Sequence, residues 1–195
     1  MKKSKIIGIG FHVPKQLLTN EDLTSIMDTS DGWIRTRSGI EQRRWVQGDE
    51  AASDLAIPAS IKAMEMAGVN PEDIDLVVVG TISGDYFFPG VSAQLQAELG
   101  LRNIAAFDIK AACSAFVYSL SIADQFIRTG QYTTALVVGA EAQTKFINKS
   151  TEGRDIAVLF GDGAGAAVLQ VSDDESGILS THLHCQGKDL KNLWM

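Results

Sequence analysis

The sequence of 195 residues contains only two cysteines and four prolines, and it has no uninterrupted apolar run of the length that spans a membrane. A membrane-spanning helix needs about 20 apolar residues in a row, so we expect no membrane span. Two cysteines do not supply the disulfide framework of a small secreted domain, and they favour a reducing compartment. We therefore expect a cytoplasmic protein. The scarcity of proline and the lack of repeats are typical of one globular domain.

Positive charge is also in short supply, since 17 lysines and arginines face 24 acidic residues and leave a net charge of −7. A nucleic acid would be repelled, so we expect no nucleic-acid partner. A local exception combines four arginines with two tryptophans: Arg35, Arg37, Arg43, Arg44, Trp33 and Trp45. Such a cluster is either a solvated charged face or a site where arginine and tryptophan hold the phosphates and base of a nucleotide.

Apolar runs and helix-capping signals alternate along the chain. Continuous apolar runs at residues 76–79 and 135–138 are typical of strands buried on both faces. Further strands are predicted at 5–11 and 104–109, and helices after a capping box at Thr19, at 51–67, at 92–99 and from Cys113 to Arg128. This alternation predicts an α/β fold with a largely parallel sheet that helices cover on both faces.

The pattern changes after residue 155. Strands at 156–160 and 164–171 are predicted to flank a tight turn, with another strand at 177–184. Alternation along that last strand would place His182 and His184 on one face, next to Cys185. A fourth ligand is missing from the neighbourhood, so we expect no metal site. The glycine pairs at 8–10 and 161–163 are interpreted as turns or close backbone contacts, because no helix follows to form a dinucleotide site.

Cys113 is the most informative residue of the chain. It lies between an apolar strand-like run and the start of an amphipathic helix, among small neighbours. A thiol at the first turn of a helix is close to unpaired backbone N–H groups and to the positive end of the helix dipole, and both stabilise a thiolate. On these residues alone, Cys113 is either a nucleophile or a buried, inert thiol.

Four stretches share their order and spacing with one known family. They are DTSDGWIRTRSGI at residues 28–40, AAC at 111–113, ALVVGAE at 135–141 and FGDGAGA at 160–166. On these stretches the chain resembles the β-ketoacyl-acyl-carrier-protein synthase III family, the starter condensing enzymes of the thiolase-like fold. The resemblance implies an α/β thiolase-like fold, layered α-β-α-β-α in the complete enzyme. Residues 1–195 would be its N-terminal half, and the family's catalytic histidine and asparagine would lie outside this sequence.

The resemblance also implies a reaction. Cys113 would take a short acyl group from an acyl-CoA, with acetyl-CoA as the expected donor. A malonyl thioester on acyl carrier protein would then lose carbon dioxide and attack the acyl-Cys113, giving a β-ketoacyl-acyl carrier protein for fatty acid synthesis. The enzyme would be an acyltransferase and a homodimer, with no tightly bound cofactor and coenzyme A entering only as a substrate thioester.

Four further residues match binding positions of the family. Trp33 and Arg37 match residues that hold the adenine nucleotide of coenzyme A, and Arg154 matches another arginine that contacts it. Phe88 matches a residue that lines the acyl pocket from across the dimer interface, and its alternative is a core phenylalanine. One departure follows the nucleophile, where Ser114 and Ala115 stand in place of the family's usual small residue and glycine.

Two other functions remain open. A related condensing enzyme, such as a polyketide-starter, ketone-forming or hydroxymethylglutaryl-type synthase, would use the same cysteine with a different acceptor. A noncatalytic subunit that binds a CoA thioester would keep the fold without the decarboxylation machinery. Whether the gene continues past Met195 with the family's histidine and asparagine would distinguish them.

Overall fold

The structure, a computed structural model, describes residues 2–192, except for the side chain of Leu190. The strands are β1 (Ser4–His12), β2 (Gln16–Thr19), β3 (Gln42–Trp45), β4 (Leu76–Gly80), β5 (Ala105–Ile109), β6 (Thr134–Glu141) and β7 (Gly163–Val171). The α-helices are α1 (Asn20–Thr24), α2 (Asp31–Ser38), α3 (Ala52–Ala67), α4 (Val91–Glu98), α5 (Ala115–Arg128) and α6 (Arg154–Ala157).

Five strands form the central sheet in the order β1-β7-β6-β4-β5. Strand β4 pairs in parallel with β5 and β6, whereas β7 pairs antiparallel with both β1 and β6. Among the described strands of this sheet, β7 alone therefore runs against the others. The predicted α/β fold with a largely parallel sheet is confirmed.

Helices cover both faces of this sheet because alternate residues of β4 point to opposite sides. Val77 and Val79 pack in one apolar cluster with residues of α3 and α4. Leu76 and Val78 pack in a second cluster with Ala123 and Ile127 of α5. Each fully buried side chain of this kind contributes about 1.5–3 kcal/mol to folding. The layers place the start of α5 against the carboxyl ends of β4, β5 and β6.

The first glycine pair brings β1 against α3. A Cβ atom on Gly8 would lie 2.6 Å from the backbone nitrogen of Ala67, and one on Gly10 would lie 2.6 Å from that of Ala63. Only a residue without a side chain allows so close an approach. The interpretation of this pair as a close backbone contact is confirmed.

A smaller unit lies beside the sheet. Strands β2 and β3 pair antiparallel, and a third apolar cluster joins Leu23 of α1, Ile34 of α2 and Trp45 of β3. The capping box at Thr19 is present, with the Asp22 carboxylate accepting from the Thr19 N–H at 2.8 Å. Sequence patterns did not predict β2, β3 or α2, which are short.

Two predicted strands are wrong. Residues 156–160 are the end of α6 and a turn, because Ile156, Val158 and Phe160 pack into the third apolar cluster instead of the sheet. Residues 177–184 form no strand. This segment lies alongside α5 instead, where the Thr181 and Ser121 hydroxyls are 2.9 Å apart. The expected tight turn at 161–163 does not join two strands either, since β7 pairs with β6 and β1.

Within residues 2–192, none of the helices combines the length and the apolar character needed to cross a membrane.

Candidate active site

Cys113 lies in a single 3₁₀ turn, Ala112–Ser114, between the end of β5 and the start of α5. The preceding residue, Ala112, has a φ of +47°, in the left-handed region that costs a non-glycine residue about 1–2 kcal/mol. This turn reverses the chain and leaves the Cys113 side chain exposed. The thiol is therefore not buried within residues 2–192, and its role as a nucleophile stays a prediction. The predicted position of the cysteine at a helix start is confirmed to within two residues.

A cavity of about 720 Å³ lies between β5 and the loop that follows β4. Its lining includes Thr81, Phe87, Ile109 and Lys110, and it ends two residues short of the Ala112–Ser114 turn along the chain. The cavity is large enough for a small organic group. Cys113 itself does not line it.

Glu141, at the carboxyl end of β6, holds the base of the loop after β4. Its carboxylate accepts hydrogen bonds from the Ile82 N–H at 3.0 Å and from the Ser83 hydroxyl. The Ser83 oxygen in turn accepts from the Ala142 N–H at 2.9 Å. Burial raises the pKa of Glu141 above its ordinary value, although the hydrogen bonds from Ser83 and Ile82 oppose this. The Glu141 carboxylate thus holds the start of the loop after β4 at the end of β6.

Two aspartates fix the far part of the same loop. The Asp108 carboxylate of β5 accepts from the backbone N–H groups of Val91 and Ser92, both at 2.8 Å, and so caps the start of α4. The Asp85 carboxylate accepts from the Ser53 N–H at 2.9 Å, at the start of α3. The cavity is therefore bounded by a loop that is anchored at both ends.

Trp33 is the centre of a second site. Ser30 caps α2 by accepting from the Trp33 N–H at 3.1 Å, and Arg37 follows one helical turn later. The guanidinium carbons of Arg37 and Arg154 lie 4.4 Å and 5.0 Å from the centroid of the Trp33 ring. The structure thus brings together three predicted site residues from distant parts of the chain. A cavity of about 340 Å³ borders Trp33 and Arg37, with Leu159 on its other side.

Arg154 is oriented by the loop before α2. Its guanidinium donates to the Asp28 carbonyl oxygen at 2.5 Å and lies 3.8 Å from the Asp28 carboxylate. Arginine over an indole ring is a cation–π contact, and its planar donors match phosphate oxygens. This cluster can bind an aromatic base and a phosphate together.

The other arginines of the predicted cluster have separate roles. Arg35 forms surface ion pairs with Asp31 and Glu41. Arg44 donates to backbone carbonyl oxygens in the loop before β2. Arg43 is only 6% exposed, and it donates to the Asn20 side-chain oxygen at 2.7 Å. Burial lowers the pKa of Arg43. Of these four arginines, Arg37 is the one that stacks on Trp33.

Phe88 lies at the tip of the loop after β4 and is 80% exposed, so the alternative of a core phenylalanine is wrong. Its ring meets the fully exposed Phe87 ring edge to face, with 6.4 Å between centroids. The segments that carry Cys113 and Phe88 are different from those that carry Trp33, Arg37 and Arg154. Phe87 and Pro89 of the same loop line the cavity next to β5.

The possible metal ligands near the end of the chain do not converge. His182 shares a hydrogen bond of 3.0 Å with the Ser180 hydroxyl, and the segment lacks the strand alternation that would place His182 beside His184. Within the described part of the chain, no three histidine, cysteine, aspartate or glutamate residues come together as metal ligands.

Sequence reasoning did not single out Glu141 as a residue that holds the loop after β4. A signal for Glu141 was present, since it is a single carboxylate directly after the apolar run of β6. The carboxyl ends of parallel strands are where α/β proteins place functional groups, so this position could have been identified.

Comparisons with known proteins agree with this geometry. The family model for 3-oxoacyl-[acyl-carrier-protein] synthase III matches residues 107–187, which include Cys113 and Arg154. The β-ketoacyl-[acyl-carrier-protein] synthase III of Xanthomonas campestris pv. campestris (strain 8004) is 52% identical over 191 residues, which make up 98% of this chain and 58% of that protein. The chain thus spans a little over half the length of this relative.

Solved structures show the same likeness. The crystal structure of 3-oxoacyl-[acyl-carrier-protein] synthase III from Aquifex aeolicus VF5 is 43% identical with a TM-score of 0.91, over 95% of this chain and 59% of that one. The priming β-ketosynthase from the R1128 polyketide biosynthetic pathway is 39% identical with a TM-score of 0.85, over 89% of this chain and 51% of that one. The expected thiolase-like fold is confirmed.

Proposed function

This chain belongs to the β-ketoacyl-[acyl-carrier-protein] synthase III family, and from this premise we propose that residues 1–195 form the N-terminal half of a starter condensing enzyme of fatty acid synthesis. Cys113 is the acyl acceptor. The observation that carries the proposal is the exposed Cys113 thiol in a 3₁₀ turn just before α5, directly after the left-handed residue Ala112. Nucleophilic cysteines occur in such partly open sites at helix starts.

In the first step, the Cys113 thiolate attacks the carbonyl carbon of an acyl-CoA, with acetyl-CoA as the expected donor. A carbon–sulfur bond to Cys113 forms, the bond to the sulfur of coenzyme A breaks, and coenzyme A leaves as a thiol with the proton that Cys113 gave up. Both compounds are thioesters, so the acyl group stays activated. We assign the Cys113 backbone N–H, at the positive end of α5, as one donor to the developing oxyanion.

In the second step, malonyl-acyl carrier protein loses carbon dioxide, and the electron pair of the broken carbon–carbon bond forms an enolate. The enolate carbon attacks the acyl-Cys113 carbonyl, and the bond to the cysteine sulfur breaks. The product is a β-ketoacyl-acyl carrier protein and the Cys113 thiolate is regenerated. The histidine and asparagine that drive decarboxylation in the family are expected outside residues 1–195.

The Trp33 cluster is proposed to hold the nucleotide end of coenzyme A. Trp33 offers a half-buried ring to stack on adenine, while Arg37 and Arg154 offer donors to the phosphates. Both guanidinium groups lie over the indole ring, so adenine would displace one of them from the ring and leave its donors for a phosphate. Coenzyme A would bind here as a substrate and not as a permanent cofactor.

The edge of the sheet supports a homodimer. Strand β5 is an edge strand, so its outer backbone groups have no neighbouring strand in the described chain. The exposed Phe87 and Phe88 lie on the loop that borders the same cavity as β5. Exposed aromatic residues next to an open strand edge favour association with a second copy. We also propose a cytoplasmic location, since Cys113 and Cys185 are both free thiols.

A second candidate is the priming of polyketide synthesis. The likeness to the R1128 priming β-ketosynthase favours it, and the chemistry at Cys113 would be the same. A noncatalytic subunit that binds CoA thioesters is the third possibility. It predicts CoA binding at Trp33 without acylation of Cys113.

The test is an intact mass measurement of the chain after incubation with acetyl-CoA. The proposed function predicts an acetyl adduct in the unmodified chain and in a Cys185→Ala control, and none in Cys113→Ala. An adduct that persists in Cys113→Ala contradicts the assignment of the nucleophile. If longer acyl-CoAs acylate Cys113 and acetyl-CoA does not, the result favours the second candidate, the priming of polyketide synthesis. If CoA binds but no acyl-CoA gives an adduct, the noncatalytic subunit is favoured.

A further inference from the structure

Three glycines form a row across the central sheet. Gly80 of β4 pairs in register with Gly139 of β6, and Gly139 pairs in register with Gly165 of β7. Paired residues on neighbouring strands point to the same face of a sheet. The row therefore presents a surface without side chains near the carboxyl ends of β4 and β6, where α5 begins.

The first turn of α5 lies directly on this row. A Cβ atom on Gly80 would be 2.8 Å from both the carbonyl carbon and the Cβ atom of Ala115. A Cβ atom on Gly139 would be 3.3 Å from the ring of Phe116. By contrast, a Cβ atom on Gly165 would have no neighbour within 4 Å. Two of the three glycines are therefore in contact with α5, and the third provides a matched control.

We propose that Gly80 and Gly139 form a seat that positions the Cys113 thiol, and that Gly80 is matched to Ala115, which occupies a position where the family more often has glycine. Ala115 is the first residue of α5 and lies two residues after Cys113. The missing side chain of Gly80 provides the space that the methyl group of Ala115 occupies. Gly80, Gly139 and Ala115 are positioning residues, since they act through Cys113.

The contact is rigid, so a change on one side must move the other. Ala115 is 3% exposed, and its carbonyl oxygen accepts a hydrogen bond from the buried Ser119 hydroxyl at 2.8 Å. The neighbour at Gly80 is backbone and not the free end of a flexible side chain, so the contact cannot be relieved by a change of rotamer. A methyl group on Gly80 would therefore lift the first turn of α5 and carry the Cys113 turn away from the sheet.

The inference rests on the proposed function only for the acyl-transfer measurement, because thiol alkylation does not require acetyl-CoA. We would measure the rate of Cys113 alkylation by iodoacetamide in a Cys185→Ala background, together with the rate of acetylation by acetyl-CoA. The variants are Gly80→Ala, Gly80→Ala/Ala115→Gly and the control Gly165→Ala. Rates are compared in folded protein, as judged by circular dichroism.

We expect Gly80→Ala to slow acetylation at least about tenfold, because a displaced nucleophile loses its alignment with the carbonyl. Alkylation should slow about threefold or more, since the displaced turn no longer holds the thiol at the start of α5. The double variant should react faster than Gly80→Ala but more slowly than the parent, because Ala115→Gly removes the methyl contact and leaves the carbonyl carbon of residue 115 at 2.8 Å from the added Cβ atom. Gly165→Ala should leave both rates unchanged.

Parent alkylation and acetylation rates in folded Gly80→Ala would overturn the proposal, even if that variant were less stable. A double variant no faster than Gly80→Ala would overturn the pairing with Ala115. If Gly80→Ala does not fold, Gly139→Ala applies a milder push through Phe116, and unchanged rates there would overturn the seat. A parent chain that is alkylated but never acetylated would contradict the proposed function while leaving the alkylation comparison intact.

Discussion

The guanidinium carbon of Arg37 lies 4.4 Å from the centroid of the Trp33 ring, one helical turn further along α2. The helix thus fixes two side chains of the proposed coenzyme A site four residues apart, on one face of α2. Arg154 reaches the same ring from a segment more than a hundred residues away. The site therefore depends on both a local and a long-range contact.

Removing either half of this cluster should weaken the binding of coenzyme A. Trp33→Ala and Arg37→Ala are each expected to raise the Kd about tenfold, which is the effect of losing one stacking or charge-assisted contact. Isothermal titration with coenzyme A would measure this. Arg102→Ala is the matched control, because Arg102 is a surface arginine paired with Asp75. Unchanged affinity in both Trp33 and Arg37 variants would show that the nucleotide binds elsewhere.

Between pH 4 and pH 8, the free energy of unfolding of Glu141→Gln should fall by about 1 kcal/mol less than that of the parent, the size of effect typical of a single substitution. Burial raises the pKa of Glu141 in the folded state, so folding favours its protonated form. Its stabilising contribution is present below the unfolded pKa of about 4.5 and is lost as the pH rises through the folded value. The glutamine, which is always neutral, avoids that loss.

Urea unfolding of the parent and Glu141→Gln at several pH values would check this. As the pH is lowered towards 4, the parent should gain stability relative to Glu141→Gln, because the parent carboxylate becomes protonated. Glu72→Gln, at an exposed glutamate, is the control for a generic change of charge. A parent that gained no more stability than Glu141→Gln on acidification would contradict the assignment of a buried carboxylate at Glu141.

Gly10→Ala should destabilise the chain by about 3 kcal/mol, since the added methyl group would overlap the backbone of α3 near Ala63. Thermal unfolding followed by circular dichroism should show a Tm lowered by roughly 10 °C. Gly165→Ala, at an uncrowded glycine of β7, should unfold near the parent temperature. Equal Tm values for the two variants would mean that β1 and α3 are not in close contact.

The double variant Phe87→Ser/Phe88→Ser should shift the protein from dimer to monomer. Both rings are largely exposed in the single chain, and a buried pair of aromatic side chains is a common anchor of an interface. Light scattering after size exclusion would measure the mass. Phe11→Ser is the control, because Phe11 is an exposed phenylalanine on β1, the opposite edge of the sheet. Dimers that persist in the double variant would place the interface elsewhere.

Sequence patterns predicted the elements whose signals are local. The apolar runs of β4 and β6 and the glycine that ends α3 each carry their own evidence. The prediction of a strand at residues 156–160 was wrong because an apolar run looks the same in a strand and in a buried turn. The choice is made by distant groups: the Asp162 carboxylate accepts from the N–H groups of Val46 at 2.8 Å and Thr144 at 2.9 Å, which fixes the chain there.

The residues of the candidate site also differ in whether a local sequence signal marks them. Cys113 could be proposed from its neighbours, with an inert thiol as the alternative, whereas Trp33 and Arg37 were proposed from the family resemblance, since α2 was not predicted. The burial of Arg43 could not be predicted, because its partner Asn20 lies on another element and composition does not report burial. The contact of Gly80 with Ala115 was equally hidden, since it depends on how closely a helix approaches a sheet.

The left-handed backbone of Ala112 has a consequence for which sequences can occupy this turn. A φ of +47° is tolerated by glycine, asparagine and small residues, but a side chain branched at Cβ would meet its own carbonyl group. A library randomised at position 112 and selected for acylation should therefore lose valine, isoleucine and threonine first. The φ angle of Ala112 thus limits which substitutions can persist at the residue before the nucleophile as the sequence evolves.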